Sequence, residues 1–264
     1  MPRDTGTTAG TRPSVSAATQ PFGRALPGWR PFLWPGLLVS TDDGLIGGAG
    51  IHLVNDGQAA AACRRSRVKR ALDIAGSFLL LLALAPLWVA IAIIVKVADR
   101  GPVLFRWDLV GMDGRRIRSY KFRTMVPQAE ALEKSLRASG ANEMQSVYFK
   151  MKDDPRVTPV GRILRKYSLD EIPSLWSVLK GDLSLVGPRP LRVTELEYLQ
   201  GWHRQRFAVK PGLTSMWILN GKNAVRDFDA IVQSDLEYIR AWSVPRDLWI
   251  LAQTVRYLLS GRNY

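Results

Sequence analysis

The sequence contains few residues of the kinds that build disulfides and thiolate metal sites. One cysteine, Cys63, is present in 264 residues, which excludes an internal disulfide and a cysteine-cluster metal site. The two histidines, His52 and His203, lie far apart and lack the spacing of a metal site. We interpret both histidines as solvated or packed side chains.

Acidic residues are scarce relative to basic ones. The chain has 37 Lys and Arg residues against 23 Asp and Glu, and its sequence pI is about 10.3. This excess of positive charge indicates an anionic partner, whether nucleic acid, a membrane surface or phosphorylated ligands. Composition alone does not choose among these classes. The length is sufficient for one core of ordinary size plus appendages.

The first 63 residues lack a persistent helical or strand period. They are rich in Gly, Ala, Thr, Ser and Pro, and the mildly apolar run 37–54 is interrupted by Asp42, Asp43 and several glycines. This composition predicts a flexible or weakly ordered extension over residues 1–63. The start is not a basic region followed by an apolar core, so we expect no secretory signal.

Charge is absent from Ile74 to Val95, a length that crosses a bilayer as a helix of roughly 20 residues. Pro86 lies in the middle, where it removes a backbone hydrogen bond and clashes with the preceding turn. Basic residues flank both sides, at 64–70 and from Lys96 onward, whereas a spanning helix normally has them on one side. Two interpretations stay open: a segment that bends at Pro86 and leaves on the face it entered, or a span with a proline kink.

The pattern after Gly101-Pro102 is that of a soluble domain. Residues 103–105 and 116–122 are typical of short strands, and the Gly-rich run 111–114 between them has turn chemistry. We therefore expect a β-hairpin. Residues 128–137 predict a polar helix.

Two further segments carry helical apolar stripes. The first, within 169–179, places on one face Leu169, Ile172, Leu175, Trp176 and Leu179. The second lies near the C-terminus and includes Leu248, Leu251, Ala252, Val255, Leu258 and Leu259, accompanied by Trp242, Trp249 and Tyr257. This last helix either faces the core or lies at a membrane interface, where aromatic rings are enriched.

The adjacent acids Asp170 and Glu171 lie among basic residues. Ser168 and Glu171 have capping-box spacing, which predicts that Ser168 caps a helix and that both acids complement its dipole. A helix N-terminus near Arg165 and Lys166 also favours a charged carboxylate. Such a carboxylate is a nucleophile toward phosphorus, and a neighbouring one holds Mg²⁺. Helix capping and phosphoryl chemistry are therefore both open explanations.

Three groups of basic residues bracket the acid pair. They are the run Lys121–Met125, the arginines 156, 162 and 165, and the run Gly187–Pro190. In the last run the prolines on either side of Arg189 restrict the backbone, and arginine binds phosphate as a bidentate fork. Each group alone is usually a solvated face, but together they favour a phosphate site.

Five runs of this sequence resemble the bacterial sugar transferases, also called monotopic phosphoglycosyl transferases. The resemblance covers about residues 67–264 and leaves residues 1–66 outside. The runs are Lys69–Asp73, Lys121–Met125, Ser168–Pro173, Leu179–Pro190 and Val209–Thr214. The Leu179–Pro190 run is long and specific.

The resemblance implies an enzyme that transfers a sugar 1-phosphate from a UDP-sugar to a polyprenyl (undecaprenyl) phosphate, releases UMP and initiates glycan or exopolysaccharide assembly. Carried over, Asp170 is the catalytic nucleophile on the β-phosphate, forming a covalent Asp-phosphosugar intermediate. Glu171 is the ligand of a required Mg²⁺. The implied substrate-binding residues are Arg123, Arg165, Arg189 and Lys222.

The resemblance also implies that the apolar segment is re-entrant and breaks at Pro86. The expected fold is α+β: a compact, helix-rich catalytic domain with a small sheet or hairpin, anchored by that helix. The expected parts are an extension at 1–63, a basic flank and re-entrant helix at 64–100, and a catalytic domain at 101–264. That domain is expected on the cytosolic face of the bacterial inner membrane. A homo-oligomer and downstream glycosyltransferases are possible further partners, and nucleic acid is not expected.

Several positions depart from the family pattern, and they put the sugar and nucleotide contacts in doubt. They are Ala85, Trp107, Leu109, Ser215, Ile218 and Lys222. Three rival functions stay open: a glycosyl transferase that moves only the sugar, a basic module that binds anionic ligands, and, because of these departures, an inactive relative that serves as a membrane-bound scaffold.

Overall fold

The computed structural model describes residues 49–142, 148–149, 151, 153–219 and 227–260. The described helices are α1 (Ala49–Arg65), α2 (Arg67–Ala83), α3 (Ala85–Asp99), α4 (Ala129–Ala138), α5 (Pro159–Lys166), α6 (Leu175–Lys180), α7 (Met216–Leu219), α8 (Phe228–Arg240) and α9 (Val244–Leu259). The described strands are β1 (Leu104–Val110), β2 (Arg116–Phe122), β3 (Ser184–Val186), β4 (Leu191–Arg192) and β5 (Gly212–Thr214). Short 3-10 helices cover Met112–Gly114, Leu169–Ser174, Val193–Tyr198 and Gly201–Ala208.

The expected α+β architecture and hairpin are confirmed. Strands β1 and β2 pair antiparallel from Leu104 opposite Phe122 to Val110 opposite Arg116, and β4 adds to the free edge of β1. A separate parallel pair joins β3 and β5. Strand β1 is longer than the predicted apolar run 103–105, because its later residues remain in register with β2.

The acid-bearing segment differs from the single helix predicted for residues 169–179. It is a 3-10 helix, Leu169–Ser174, followed by α6. Ile172 and Leu175 are buried, whereas Trp176 is 52% exposed. The prediction that Trp176 shares their face is wrong, because a 3-10 helix has three residues per turn and shifts the face that follows it.

Residues 49–63, expected to belong to the weakly ordered extension, form most of α1. Ala60 and Cys63 are buried in the main apolar cluster, and burial raises the pKa of the Cys63 thiol to about 11. The alanine-rich run in α1 has high intrinsic helix propensity even without an amphipathic period. The rest of the predicted extension, residues 1–48, lies outside the described residues.

The apolar segment is broken where the sequence predicts it. Helix α3 follows α2 after Leu84, with Pro86 in its first turn. No single helix in the described part of the chain has the length and apolar character to cross a membrane, but Arg67–Ala83 and Ala85–Ala98 meet both requirements as a pair bent by 62°. Whether this bent pair is re-entrant stays a prediction.

The basic residues at the start of α2 bind to the rest of the domain. Lys69 Nζ lies 2.6 Å from Asp247 Oδ2 and donates to the Val186 carbonyl. Arg70 donates to the last carbonyls of α6, while Asp73 accepts from the Leu185 N–H. Part of the predicted flanking charge is therefore used to attach the apolar helices to the domain.

Helix α9 packs on the core with a different edge from the predicted apolar stripe. Asp247 and Ile250 are buried, so the helix packs on the core. Its stripe is nevertheless exposed at Leu248, Val255 and Leu259. Neither buried residue belongs to the predicted stripe, of which Leu251 packs partly against the core. The core-facing interpretation of the stripe is therefore not confirmed, and the interfacial one stays a prediction.

Candidate active site

The acid pair lies on the 3-10 helix Leu169–Ser174, which packs against β2. Two buried hydroxyls fix this packing: Ser174 Oγ donates to the Tyr120 carbonyl at 2.8 Å, and Ser177 Oγ donates to Ser119 Oγ at 3.0 Å. Both contacts tie consecutive turns to neighbouring residues of the strand. Strand β2 therefore sets the position of Asp170 and Glu171.

The predicted capping box is wrong. Ser168 has left-handed backbone angles, with φ 52° and ψ 25°, and its side chain makes no cap hydrogen bond. The N–H of Glu171 instead donates to the Ser168 carbonyl at 3.2 Å. A left-handed serine costs about 1–2 kcal/mol, so the chain accepts local strain immediately before the acid pair, as is common at functional sites.

The two acids differ in exposure. Asp170 is only 8% exposed, whereas the Glu171 side chain is 35% exposed and its Oε1 lies 2.6 Å from Lys121 Nζ. The Lys121 ammonium also lies 3.8 Å from the centre of the Trp107 ring. Lys121 is therefore held between a carboxylate and an aromatic face.

Lys121 was not among the predicted site residues, although it lies in one of the predicted basic runs. The alternation of side chains along β2 is the signal that could have identified Lys121. Side chains two apart on a strand share a face, so Lys121 lies on the same face as Ser119, whose hydroxyl meets α6. A prediction that β2 packs on the acid-bearing helix would have pointed to Lys121.

Two of the predicted phosphate residues, Arg123 and Arg165, have contacts just beyond the end of β2. Arg165 Nε donates to Thr124 Oγ1 at 2.9 Å, and Arg123 directly precedes this threonine. Arg123 is buried, and its guanidinium occupies the space that a side chain at Gly101 would take. Gly161 lies against the Thr124 backbone. Arg165 thus lies beside Thr124, whereas the guanidinium of Arg123 lies at Gly101.

Arg156 belongs to a different arrangement. Its guanidinium is buried and pairs with Asp154 and with Glu133, which also contacts Arg192. Burial raises the pKa of Glu133, but Arg192, Arg156 and Arg137 outweigh that effect and lower it to about 2. Arg156 is therefore committed to a structural network, whereas Arg162 is exposed.

Arg189 projects between two aromatic rings. Its guanidinium carbon lies 3.8 Å from the Trp217 ring centre and 4.6 Å from that of Tyr148. Among the described residues this side chain has no carboxylate partner within salt-bridge distance. A half-buried guanidinium of this kind is suited to an anionic or carbonyl-bearing ligand.

Strand register places Leu191, two residues after Arg189, and Lys121, the partner of Glu171, near different ends of β1. Lys121 pairs with Phe105, whereas Leu191 pairs with Val110. These two partners are five positions apart along β1, about 17 Å at the rise of a strand. A contact from Arg189 to the nucleotide or its phosphates stays a prediction, and Lys222 lies outside the described residues.

The acid pair supplies oxygen donors of the kind that magnesium takes. Within the described ranges, no three His, Cys, Asp or Glu side chains are grouped to hold a metal. Mg²⁺, however, takes one or two carboxylates and completes its shell with water and substrate phosphates. Glu171, part-exposed and next to Asp170 in the chain, supplies carboxylate oxygens of this kind, and its Oε1 also pairs with Lys121. A magnesium ion at this site stays a prediction.

His203 is a packed side chain, as predicted. It is 2% exposed, its Nδ1 accepts from the Gln200 N–H, and its Nε2 lies 2.9 Å from Asp229 Oδ1. The side chain of His52 lies outside the described residues.

Comparison with known proteins decides the family. The sequence model described as "Bacterial sugar transferase" matches residues 64–261. The chain belongs to the bacterial sugar transferase family. This match covers the bent helix pair, the acid pair and the Arg189 run together, which are the features described above.

Individual members of the family show the extent of the similarity. The chain is 42% identical over 194 residues to "Galactosyl transferase CpsE" of Streptococcus agalactiae, covering 73% of this chain and 42% of that protein. It is 40% identical over 201 residues to "Undecaprenyl-phosphate galactose phosphotransferase" of Salmonella typhimurium, covering 75% and 42%. With "Exopolysaccharide production protein ExoY" of Rhizobium meliloti it shares 37% identity over 197 residues, covering 74% and 87%. The chain thus spans about two fifths of the first two relatives and most of the third.

Proposed function

We propose that this chain transfers a sugar 1-phosphate from a UDP-sugar to a polyprenyl phosphate, releases UMP and begins the assembly of a bacterial polysaccharide. The names of the family members support lipid-phosphate and sugar substrates of this kind. The observation that carries the proposal is the acid pair held against β2 with Lys121 at 2.6 Å from Glu171. It combines a buried carboxylate with fixed positive charge.

In the proposed first step, a carboxylate oxygen of Asp170 attacks the β-phosphorus of the UDP-sugar. The bond from that phosphorus to the bridging oxygen breaks, and UMP leaves with the bridging oxygen. An aspartyl-phosphosugar remains on the enzyme. Lys121, Arg123 and Arg165 supply positive charge for the phosphate oxygens in the transition state.

Glu171 would hold Mg²⁺, with Asp170 as its neighbour in the donor set. When bound, this ion supplies neutralisation of phosphate charge and orients the phosphoryl group. Lys121 has a separate task, since it fixes the Glu171 side chain from the β2 side.

In the second step, an oxygen of the polyprenyl phosphate attacks the phosphorus of the aspartyl-phosphosugar. The acyl-phosphate bond breaks and restores the Asp170 carboxylate, leaving a polyprenyl diphosphate sugar. A re-entrant α2–α3 pair at the cytosolic face of the inner membrane would keep the site near the lipid phosphate. The 62° bend and the exposed apolar residues of both helices support this placement.

The test is a nucleotide-release assay with polyprenyl phosphate across a panel of UDP-sugars. We expect UMP release from wild-type protein and none from Asp170→Asn, with a labelled protein adduct when wild type receives donor alone. Asp113→Asn, at an exposed acid paired with Arg64, is the matched control and should retain full release. Release of UDP would instead identify a glycosyl transferase that moves only the sugar.

Full activity of Asp170→Asn would overturn the nucleophile assignment. Donor binding that needs no Mg²⁺, falls steeply with salt and yields no product would favour a binding module. A folded, membrane-bound protein with no product and no adduct would indicate a scaffold.

A further inference from the structure

One buried ion pair forms hydrogen bonds with both the N–H and the carbonyl of Arg189. Asp235 Oδ1 accepts from the Arg189 N–H at 3.2 Å, and Arg206 Nη2 donates to the Arg189 carbonyl at 2.7 Å. Asp235 and Arg206 are each 1% exposed and pair with each other. Both peptide groups of Arg189 therefore depend on the same two side chains.

The ion pair also contacts one of the two aromatic rings that face the Arg189 side chain. Arg206 Nη1 donates to the Tyr148 hydroxyl at 3.4 Å, and Tyr148 is one of the two rings that face the Arg189 guanidinium. Prolines 188 and 190 fix the φ angles on either side. The direction of the Arg189 side chain is thus set from the backbone and from one flanking ring.

Helix α8 holds the preceding part of the same run. The Tyr238 hydroxyl donates to the Val186 carbonyl at 3.2 Å. Asp235 and Tyr238 are three apart on α8, so they lie on one face of the helix. One turn of α8 therefore fixes both Val186 and Arg189, the beginning and end of the turn that leaves β3.

Stability alone is a poor explanation for this arrangement. Burying an ion pair carries a desolvation cost, and well-packed apolar residues in its place are often as stabilising or more so. Burial raises the pKa of Asp235 to about 6 although Arg206 and the Arg189 N–H oppose that effect. The fold therefore tolerates an unfavourable charge at this position.

Arg206 has a second effect on Arg189. The Asp235 carboxylate accepts from the Arg189 N–H, and its attraction acts on the Arg189 guanidinium as well. Because Arg206 neutralises Asp235, the Arg189 guanidinium remains available for an anionic ligand. The pair fixes the backbone without supplying a competing counter-ion.

We propose that Asp235 and Arg206 form a positioning pair that directs the Arg189 guanidinium toward the phosphates or carbonyl groups of the sugar nucleotide. The proposal rests on the proposed function for the identity of that ligand. It assigns roles to two residues that contact no substrate themselves and act through Arg189.

A double-mutant cycle tests the coupling. Asp235→Asn should lower kcat/KM for UMP release by at least tenfold, mainly by raising the donor KM, and Arg189→Ala should lower it at least as much. If Asp235 acts through Arg189, adding Asp235→Asn to Arg189→Ala should cost less than twofold. Losses that multiply in the double variant would overturn the proposal.

An apolar replacement separates positioning from stability. The double variant Asp235→Leu with Arg206→Met should melt within a few degrees of wild type, because neither charge is left unpaired. It should still show the raised donor KM. Recovery of the wild-type KM in this variant would show that the ion pair serves the fold alone.

Asp154→Asn is the matched control for losing a buried carboxylate beside an arginine, since Asp154 pairs with Arg156 and is 6% exposed. It should change the donor KM by less than twofold, and any stability loss should be independent of Arg189.

Hydrogen exchange gives a readout that does not depend on catalysis. In the apolar double variant the Arg189 amide loses its acceptor, so exchange across residues 187–191 should accelerate at least tenfold while α8 keeps its protection. If wild-type protein releases no UMP from any donor, the proposed function fails, and exchange alone then decides the positioning role. Unchanged exchange at Arg189 would overturn that role.

Discussion

The ammonium of Lys121 lies 2.6 Å from Glu171 Oε1 and 3.8 Å from the ring centre of Trp107. The strand contributes the cation, and the 3-10 helix contributes the carboxylate. Since Ser174 and Ser177 bind the same stretch of β2, the three contacts act together to fix the acid pair. The geometry of the site thus depends on the packing of this helix against the hairpin.

Replacing Lys121 should impair transfer strongly. Lys121→Met keeps the length and apolar stem but removes the charge that meets Glu171 and, in the proposed mechanism, the phosphate oxygens. We expect kcat to fall by about 100-fold, within the range seen when one electrostatic donor is removed from an active site. Steady-state UMP release measures the effect. Lys134→Met, at an exposed lysine of α4, is the control and should leave kcat unchanged.

Trp107 should help to position Lys121, and its replacement should impair transfer less than replacement of Lys121 does. Trp107→Leu removes the aromatic face, and a partly exposed cation–π contact contributes about 0.5–1 kcal/mol, so we expect a two- to fivefold fall in kcat/KM. Trp107→Phe keeps a ring at the same place and should lose less than twofold. Equal losses in the two variants would show that the ring face is not what positions Lys121.

Much of the fold could be predicted because its signals are local. The turn residues at 111–114 and the strand pattern predicted the hairpin, and Pro86 predicted the break that follows Leu84. The local pattern misled where a tertiary contact decides the conformation. Ser168 matches a capping box, yet it adopts φ 52° at the sharp junction between α5 and the 3-10 helix that packs on β2.

The site was only partly predictable for the same reason. The resemblance assigned roles to Asp170, Glu171 and Arg189, because their runs are contiguous in the sequence, and those roles stay predictions. Lys121 and the Asp235–Arg206 pair approach from segments far along the chain, and only the packing of β2 and α8 brings them in. Arg156 shows the opposite kind of error. Its position in the sequence, close before the acids, favoured a phosphate site, but its guanidinium forms ion pairs with Asp154 and Glu133.

Gly161 should resist substitution although it lies in a helix. Alanine normally stabilises a helix by about 1 kcal/mol relative to glycine, but a Cβ at Gly161 would overlap the Thr124 carbonyl and backbone. We expect Gly161→Ala to lower the melting temperature by several degrees and to raise the donor KM by displacing Arg123 and Arg165. Thermal unfolding and UMP release measure the two effects.

Gly57 provides the matched control for this substitution. It lies in α1, and a Cβ there would meet nothing within 4 Å. Gly57→Ala should therefore raise the melting temperature slightly through helix propensity alone. A stabilised Gly161→Ala protein with unchanged KM would contradict the close packing of α5 on Thr124.

Glu133 should account for part of the loss of stability in acid. Its side chain is 15% exposed and contacts Arg137, Arg156 and Arg192, and its pKa falls from 4.5 to about 2 although burial opposes the change. Because the folded-state pKa is the lower one, the stabilisation is complete above about pH 5 and is lost as the pH falls toward 2. Its size after solvent screening is about 2 kcal/mol.

Urea unfolding at several pH values tests this assignment. Glu133→Gln should be about 2 kcal/mol less stable than wild type at pH 7, and the difference should shrink as the pH approaches 2. Glu130→Gln, an acid in the exposed first turn of α4, is the control and should follow the wild-type pH dependence closely. A wild-type–Glu133→Gln difference that stays constant from pH 7 to pH 3 would show that Glu133 acts by packing and not by its charge.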